Sequence, residues 1–456
     1  MFRYLVLLAI LLVWPAAWAN PAAPTDDTPA AIRSRLSLPE SIYAGRRLRL
    51  ADQLGDQLEA GERGWFLLLG TGNEAYLDEP QQNPDFLYLT GVDVGGAAMA
   101  LSIGSGERSE VLFLNEPTAH DRIFDSPVLV PGRFDWEAGQ DDLERQSARQ
   151  TTGFETIETM HRLDGWLKGA LVGADALFVA ARPVSLETPL TPNLDLVARL
   201  RDRYPALRTL DARQELDRLR LVKDEEEIER VEQAVKATLA GFRRVAGLIR
   251  PGPLERDIQA EMEAAFLREG AQALAFPTIV ASGPRSTVLH YMRNEARLEA
   301  GALVVIDAGA KKDGYAADVT RTFPVSGKFT REQRKIYDTV IKAQEAGLRA
   351  ARPGATLESI DEKVRAALED AGYGEGIRHR CCHYVGLEVH DVGARTVPLA
   401  EGMVFTIEPG LYFPETGNGI RVEDTVVMGR DGVRSLSGDL PRTAEDVERF
   451  LSRARE

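Results

Sequence analysis

Asp307 and Asp318 stand on either side of a short polar turn, and this placement is the first chemistry the sequence offers. Asp307 closes the apolar, β-branched run Leu303-Val304-Val305-Ile306, and Asp318 lies inside Tyr315-Ala316-Ala317-Asp318-Val319-Thr320-Arg321. Lys311-Lys312-Asp313-Gly314 between them supplies hairpin turn chemistry. A turn centred on Lys312-Asp313 sets the carboxylates directly opposite each other, whereas one centred on Asp313-Gly314 sets them on a diagonal. Either register leaves them on one face, because antiparallel partners share a face and the side-chain period is two. Like charges so placed repel, and a cation between them would remove the repulsion. The hairpin alone also admits a plainer reading, with one Asp solvated and the other capping a turn.

Three further segments bear on the choice. His383-Tyr384-Val385-Gly386-Leu387-Glu388-Val389-His390-Asp391 carries imidazoles beside apolar residues. Met403-Val404-Phe405-Thr406-Ile407-Glu408-Pro409-Gly410 is an apolar strand ending in a carboxylate. Gly419-Ile420-Arg421-Val422-Glu423-Asp424-Thr425-Val426-Val427 reads as one alternating strand with Arg421 and Glu423 on the same face. Singly, Glu408 could cap a turn, Glu423 could pair with Arg421 at the surface for ~0–1 kcal/mol, and His383 could be a hydrogen-bonded core residue. Together, Asp307, Asp318, Glu408, Glu423 and His383 put charge on or beside apolar strands, where an uncompensated charge is costly. Four carboxylates balance two divalent cations. Oxygen-rich ligation with one imidazole fits Mn²⁺ best, with Co²⁺, Fe²⁺ and Zn²⁺ as alternatives. Two such ions ~3.5–4 Å apart can acidify a water, polarise a carbonyl and orient a substrate.

The elements that must position these groups follow an internal echo. Arg250-Pro251-Gly252 recurs as Arg352-Pro353-Gly354, and at the same offset Ile258, Met262, Phe266 and Gly270 match Ile360, Val364, Leu368 and Gly372. Each half reads helix, R-P-G turn, helix, then strands, with Arg331 to Arg349 as the second half's first helix. Two such halves predict a pseudo-two-fold domain with its site at the seam. Asp224 opens a long helix through a D-x-x-E capping pattern with Glu227.

At 456 residues the chain can hold two full cores. The region before the echo reads as an α/β unit. A helical pattern runs from Ile32 to Leu58, and strands are expected at Trp65–Leu69, Phe86–Gly91, Ala98–Ile103, Val111–Leu114, Leu171–Gly173 and Leu177–Val179. Helices are expected at Leu163–Lys168 and Leu194–Arg203, with a proline-rich loop from Pro183 to Pro192 before the second. Its His120 and His161 are lone histidines with surface or structural roles. Arg3, the apolar core Leu5–Val13 and Ala17-Trp18-Ala19 form a secretory signal with its cleavage site, too short to span a bilayer. The expected divisions are therefore a signal peptide over 1–19, a tether over 20–31, an N-terminal domain over 32–215 and a catalytic domain over 216–456. Export to the periplasm or medium, with no stable membrane anchor after cleavage, follows. The only cysteines, Cys381 and Cys382, are adjacent and staple no loop; buried thiols are favoured over a strained vicinal disulfide. The net charge of −15 argues against nucleic acid as a partner.

The ordered set Asp307, Asp318, His383, Glu408, Glu423, within VIDAGAKKDGYAADVTRTFPV, HYVGLEVHDVG, TIEPGLYF and GIRVEDTVV, resembles the pita-bread metallopeptidases. That family includes aminopeptidase P, prolidase and methionine aminopeptidase, and creatinase, which works without metals. The resemblance covers about Val222 to Val433. It implies a curved, mainly antiparallel sheet covered by helices, with those five residues as ligands of two divalent metals and Glu408 also moving a proton. It also places His290, in STVLHYMRN, and His390 as catalytic and substrate-binding histidines, and Arg421 beside a ligand or the substrate. QQNPDFLYLTGV is similar to the creatinase-like N-terminal domain of aminopeptidase P and prolidase, so the fold class is two-domain α/β. The implied function is hydrolysis of the Xaa-Pro bond at the N-terminus of proline-containing peptides. A strict Xaa-Pro dipeptidase and a non-catalytic peptide-binding protein are the rivals, and a homo-oligomer, dimer or tetramer, is implied. The segment between Glu408 and Glu423 is shorter than the family's, which reshapes one wall of the pocket. Asp307→Ala and Glu423→Ala should each abolish metal binding, read as metal content of the purified protein; an Asp307→Ala protein with two metals and full activity would refute the assignment.

Overall fold

The computed structural model describes residues 38–70, 82–115, 149 and 152–456; the signal segment, the tether and His120 lie outside these residues. The expected first helix is α1 (Glu40–Gly55), with Leu50 and Leu54 buried. One mixed sheet follows, made of β1 (Arg63–Leu69), β2 (Ala98–Gly104), β3 (Glu110–Leu114), β4 (Thr156–Thr159), β5 (Ala176–Val179) and β6 (Arg208–Asp211) in the order β4-β3-β2-β1-β5-β6. β2 is antiparallel to both its neighbours, and the other pairs are parallel.

Two expected strands are not strands. Phe86–Gly91 lies in helix α2 (Pro84–Thr90). Asn83 caps it by accepting from the amides of Asp85 and Phe86, Pro84 takes the first turn, and Gly91 ends it with φ 65°. Asp85 to Thr90 are all buried, so no exposed face marks a helical period and the run does not separate a helix from a buried strand. Leu171-Val172-Gly173 is the turn that closes helix α3 (Leu163–Ala170), with Leu171 as its C-cap. Helix α4 (Pro192–Arg203) forms as expected. Helix α5 (Arg213–Leu221) then carries the chain into the second half of the molecule, spanning the boundary placed at 215–216.

The echo in the sequence is an echo in space. Helices α6 (Glu225–Val245) and α7 (Glu255–Arg268) of one half match α8 (Arg331–Ala350) and α9 (Leu357–Asp370) of the other. Asp224 and Glu227 form the capping box at the start of α6. The matched positions Ile258 and Ile360, Met262 and Val364, and Phe266 and Leu368 are all buried. Gly270 and Gly372 both end their helices in the left-handed region, at φ 83° and 84°.

The strands between and after these helices carry the site. β7 (Ala273–Leu274) pairs with β10 (Ala310–Lys312), and β8 (Ile279–Ser282) pairs with β9 (Leu303–Ala308). β10 turns into β11 (Tyr315–Ala316), and β9 continues its pairing with β12 (Val319–Pro324). The second half contributes β13 (Val404–Ile407), β14 (Gly410–Phe413), β15 (Asn418–Arg421), β16 (Asp424–Met428) and β17 (Val433–Ser435), ahead of the closing helix α10 (Ala444–Arg455). All pairings in this half of the chain are antiparallel. The expected single strand 419–427 breaks at Val422-Glu423, because β15 pairs with β14 while β16 crosses to β13. At the break Glu423 N–H donates across the seam to Thr320 O at 3.0 Å. Among the described residues no helix is long and apolar enough to cross a membrane.

The hairpin takes the diagonal register. Thr320 lies opposite Asp307, and Lys312 lies opposite Tyr315. Asp313 and Gly314 have φ 48° and 83°, the two positive angles of a type I′ turn centred on that pair. Gly309 lets the two arms close, since a Cβ there would lie 1.9 Å from Ala317 O. Gly309→Ala should therefore splay the hairpin and lower bound metal while the helical circular dichroism stays near wild type; metal content at wild-type level would show that the close approach is dispensable.

Candidate metal centre and peptide pocket

Asp307, Asp318, His383, Glu408, Glu423, Arg421, His290 and His390 all line one pocket of about 490 Å³. All eight residues singled out from the sequence are thus brought together. Asp307 points from β9 and Asp318 from the residue before β12, on the same face. Glu408 follows β13, and Glu423 occupies the break between β15 and β16. His383 is held by a two-way contact with Thr406 of β13: its N–H donates to Thr406 Oγ1 and its carbonyl accepts from Thr406 N–H at 2.8 Å.

The atoms left over define what the site can bind. His383 Nδ1 lies 3.1 Å from Tyr384 O, so that nitrogen donates its proton and Nε2 is free as a ligand. Nε2 sits 3.4 Å from Asp318 Oδ2 and 3.5 Å from Glu408 Oε1. One ligand atom each from Asp318, His383 and Glu423 fall within 4.8 Å of one another. Asp307 Oδ1, Asp318 Oδ1 and Glu423 Oε1 are buried with no hydrogen-bond partner among the described residues. Buried carboxylate oxygens are normally satisfied, so a set of orphans pointing into one pocket fits cation binding.

Electrostatics agree. Burial pushes the Asp318 carboxyl well above the usual range, and Asp307 and Glu408 add to it. Burial and the Asp318 charge do the same to Glu423. Glu408 is pushed up to about 8, by burial first and then by Glu423. Without a cation the cluster holds protons that a metal would displace.

Independent likenesses agree with the geometry. Residues 229–430 match the model of "Metallopeptidase family M24", and residues 43–178 match "Aminopeptidase P, N-terminal domain". The chain is 33% identical to the Xaa-Pro aminopeptidase of Escherichia coli over 408 residues, covering 82% of this chain and 90% of that one. The chain belongs to metallopeptidase family M24.

Two further relatives bear on this M24 chain. It is 41% identical to the Xaa-Pro dipeptidase of Pyrococcus furiosus over 224 residues, 48% of this chain and 64% of that one. The structure of E. coli aminopeptidase P with the inhibitor Pro-Leu superposes with a TM-score of 0.77 and 30% identity, covering 92% of this chain and 99% of that one. The chain is accordingly a metallo-exopeptidase of the Xaa-Pro aminopeptidase/dipeptidase kind, with the two-domain pita-bread fold. M24 membership implies divalent metal ions, and the orphaned oxygens fit them.

The M24 site contains residues the sequence motifs did not expose. His379 stands four residues before His383, and that H-x-x-x-H spacing was the available signal. Arg421 Nη1 donates to Tyr412 OH at 2.8 Å, and the phenol then donates to His379 Nε2 at 2.8 Å. His379 Nδ1 donates to Arg380 O, and its pKa is pushed down to about 4 by burial and Arg421. The other arm of Arg421 holds Asp307 Oδ2 at 2.6 Å. Gln344, fully buried on α8, donates to Ile407 O and Val422 O, the carbonyls immediately before Glu408 and Glu423. Nothing in its neighbourhood in sequence marks it. His290 sits on an irregular loop anchored by Asn294, which accepts from Val280 N–H and donates to Thr278 O, and by Glu255, which accepts from Ser282, Tyr291 and Ala296. His383 and His390 meet edge to face at 4.3 Å. Cys381 and Cys382 are buried free thiols, their sulfurs 3.3 Å apart.

The raised carboxyls fix the sign of the metal–proton linkage. At pH 7 Glu408 is mostly protonated in the metal-free protein, so loading should release protons and apparent affinity should rise with pH until Glu408 titrates near 8. Titration calorimetry in two buffers of different ionisation enthalpy reads this directly. Equal heats in both buffers would contradict it.

Proposed function

We propose that this chain is an aminopeptidase P-type enzyme that hydrolyses the Xaa-Pro bond at the N-terminus of peptides. The supporting observation is that one pocket joins the five ligand-type residues to His290, His390 and an apolar wall that includes Phe276, Ile279, Leu289 and Val389. The wall suits a proline ring, and the imidazoles suit a polar peptide backbone.

In this reading Asp307, Asp318, His383, Glu408 and Glu423 hold two divalent cations, with Mn²⁺ the best match to the donor set. The bound ions would polarise the scissile carbonyl and lower the pKa of the attacking water. Glu408 carries a proton from that water to the proline nitrogen as it leaves. His290 donates to the oxygen on which charge develops, and His390 orients the peptide beside the proline subsite. Arg421 keeps Asp307 in place through its 2.6 Å contact. The signal-like segment Arg3 to Ala19 supports an exported enzyme.

A strict Xaa-Pro dipeptidase is the second reading, favoured by the 41% identity to a dipeptidase over 224 residues. Assay of the Mn²⁺-loaded protein against Xaa-Pro dipeptides and Xaa-Pro peptides of increasing length separates the two. Cleavage of tripeptides and longer chains is expected. Turnover confined to the dipeptide would establish the dipeptidase, and no turnover with no bound metal would return the chain to a peptide-binding role. His290→Ala and His390→Ala should each lower kcat/KM by about 10²-fold, as for loss of a transition-state donor, with metal content unchanged.

A further inference from the structure

The residue after His390 belongs to a buried ion network that reaches the N-terminal half of the chain. Arg220, at the end of α5, is buried, and its guanidinium holds three carboxylates: Asp85 at 2.7 Å, Asp391 at 2.5 Å and Glu388 at 2.9 Å. Lys223 takes the other oxygen of Asp391 at 2.9 Å. Asp85 lies in the first turn of α2, in the N-terminal half, and also accepts from Arg182. The side chains of Asp85, Arg220, Lys223 and Asp391 are each no more than 2% exposed. Gly386 leaves room for this arrangement, since a Cβ there would lie 2.1 Å from Asp391 Oδ2.

The chain from Tyr384 to Asp391 is a closed loop. Asp391 N–H donates to Tyr384 O at 2.9 Å, and Gly386 N–H donates to Glu388 O. Asp391 therefore anchors the loop at both its backbone and its side chain. Among the described residues the His390 ring has no hydrogen-bond partner, and it meets the edge of the His383 ring. Its place in the pocket is thus set by its backbone, one residue from Asp391. A carboxylate held by two buried cations has little freedom, and neither cation can turn away without leaving a charge unpaired.

We propose that Asp85 and Arg220 are positioning residues for His390, so that docking of the N-terminal half through α2 is a condition for a competent pocket. This rests on the role given to His390 above. The same interface carries Tyr88, whose hydroxyl donates to Leu219 O, and Arg46, which pairs with Asp224 and Glu227. Arg220 is the one of these contacts that leads directly to a residue beside a pocket histidine.

Asp85→Asn keeps size and one acceptor and removes the charge. In the metal-loaded enzyme it should lower kcat on an Xaa-Pro peptide by about 10- to 100-fold, the range for a misplaced group, with metal content unchanged. Placed in His390→Ala, it should cost no more than about twofold further, because the two act through one group. In the zinc-loaded protein the imidazole nitrogen resonances of His390 should shift in Asp85→Asn, which a merely structural role would not produce. Arg220→Lys, which cannot hold all three carboxylates, serves the same readouts if Asp85→Asn does not fold. Losses that multiply in the double variant, or unshifted His390 resonances, would overturn the proposal. If the wild-type protein cleaves no Xaa-Pro peptide, the functional reading fails while the resonance measurement still decides the positioning.

Discussion

Four carboxylates face one another in a buried seam, and the rest of the catalytic half is arranged around their repulsion. In a medium of low effective dielectric such charges cannot all ionise without compensation. The fate of two adjacent residues shows how local that compensation is. Glu423 turns into the pocket, accepts from Thr320 Oγ1, and is pushed well up by burial and by Asp318. Asp424 is as deeply buried, but Arg321 at 2.7 Å and Ser437 at 2.5 Å hold its carboxyl below the usual range. One carboxylate is neutralised by the protein, and its neighbour is left without a cationic partner among the described residues.

The framework around the seam is built to keep these groups from moving apart. Arg321 binds Glu423 O as well as Asp424, so it fixes the backbone at the break between β15 and β16. Gln344 bonds the carbonyls before Glu408 and Glu423 from a single amide. Arg421 crosses from the second half to Asp307 of the first. The pseudo-two-fold plan makes this workable, because each half brings a strand pair to the seam and the bonds across it are short and buried. Beyond the seam, the Arg220 network joins the N-terminal half to the loop of His390, so the accessory domain is continuous with the pocket wall.

Much of the site was legible because the clustered carboxylates sit at points where strong local signals end. Asp307 closes an apolar strand, Lys311 to Gly314 reads as a polar hairpin turn, and Glu408 precedes Pro-Gly. The choice between hairpin registers was not legible, since both turn pairs carried suitable residues; the positive φ at Asp313 and Gly314 decided it. Helix α2 was misread although Asn83, Pro84 and Gly91 are its proper punctuation, because a segment buried on every side has no exposed face to compare. His379 carried a spacing signal that went unused. Gln344, Arg220 and Asp85 carried none, since a polar residue's burial depends on elements far away in the chain.

Sequence alone determined which carboxylates and histidines would converge, their order, and the doubling of the helical frame, because these rest on local periodicity, repeated turns and motif order. Tertiary structure decided which carboxylates stay unpartnered and which are neutralised, which histidines share the pocket, and how the N-terminal half reaches it. Those outcomes depend on distances between segments far apart in the chain, such as Arg220 and Asp391, 171 positions apart. Electrostatic energy varies with separation and burial, and neither is encoded at a single position in the chain.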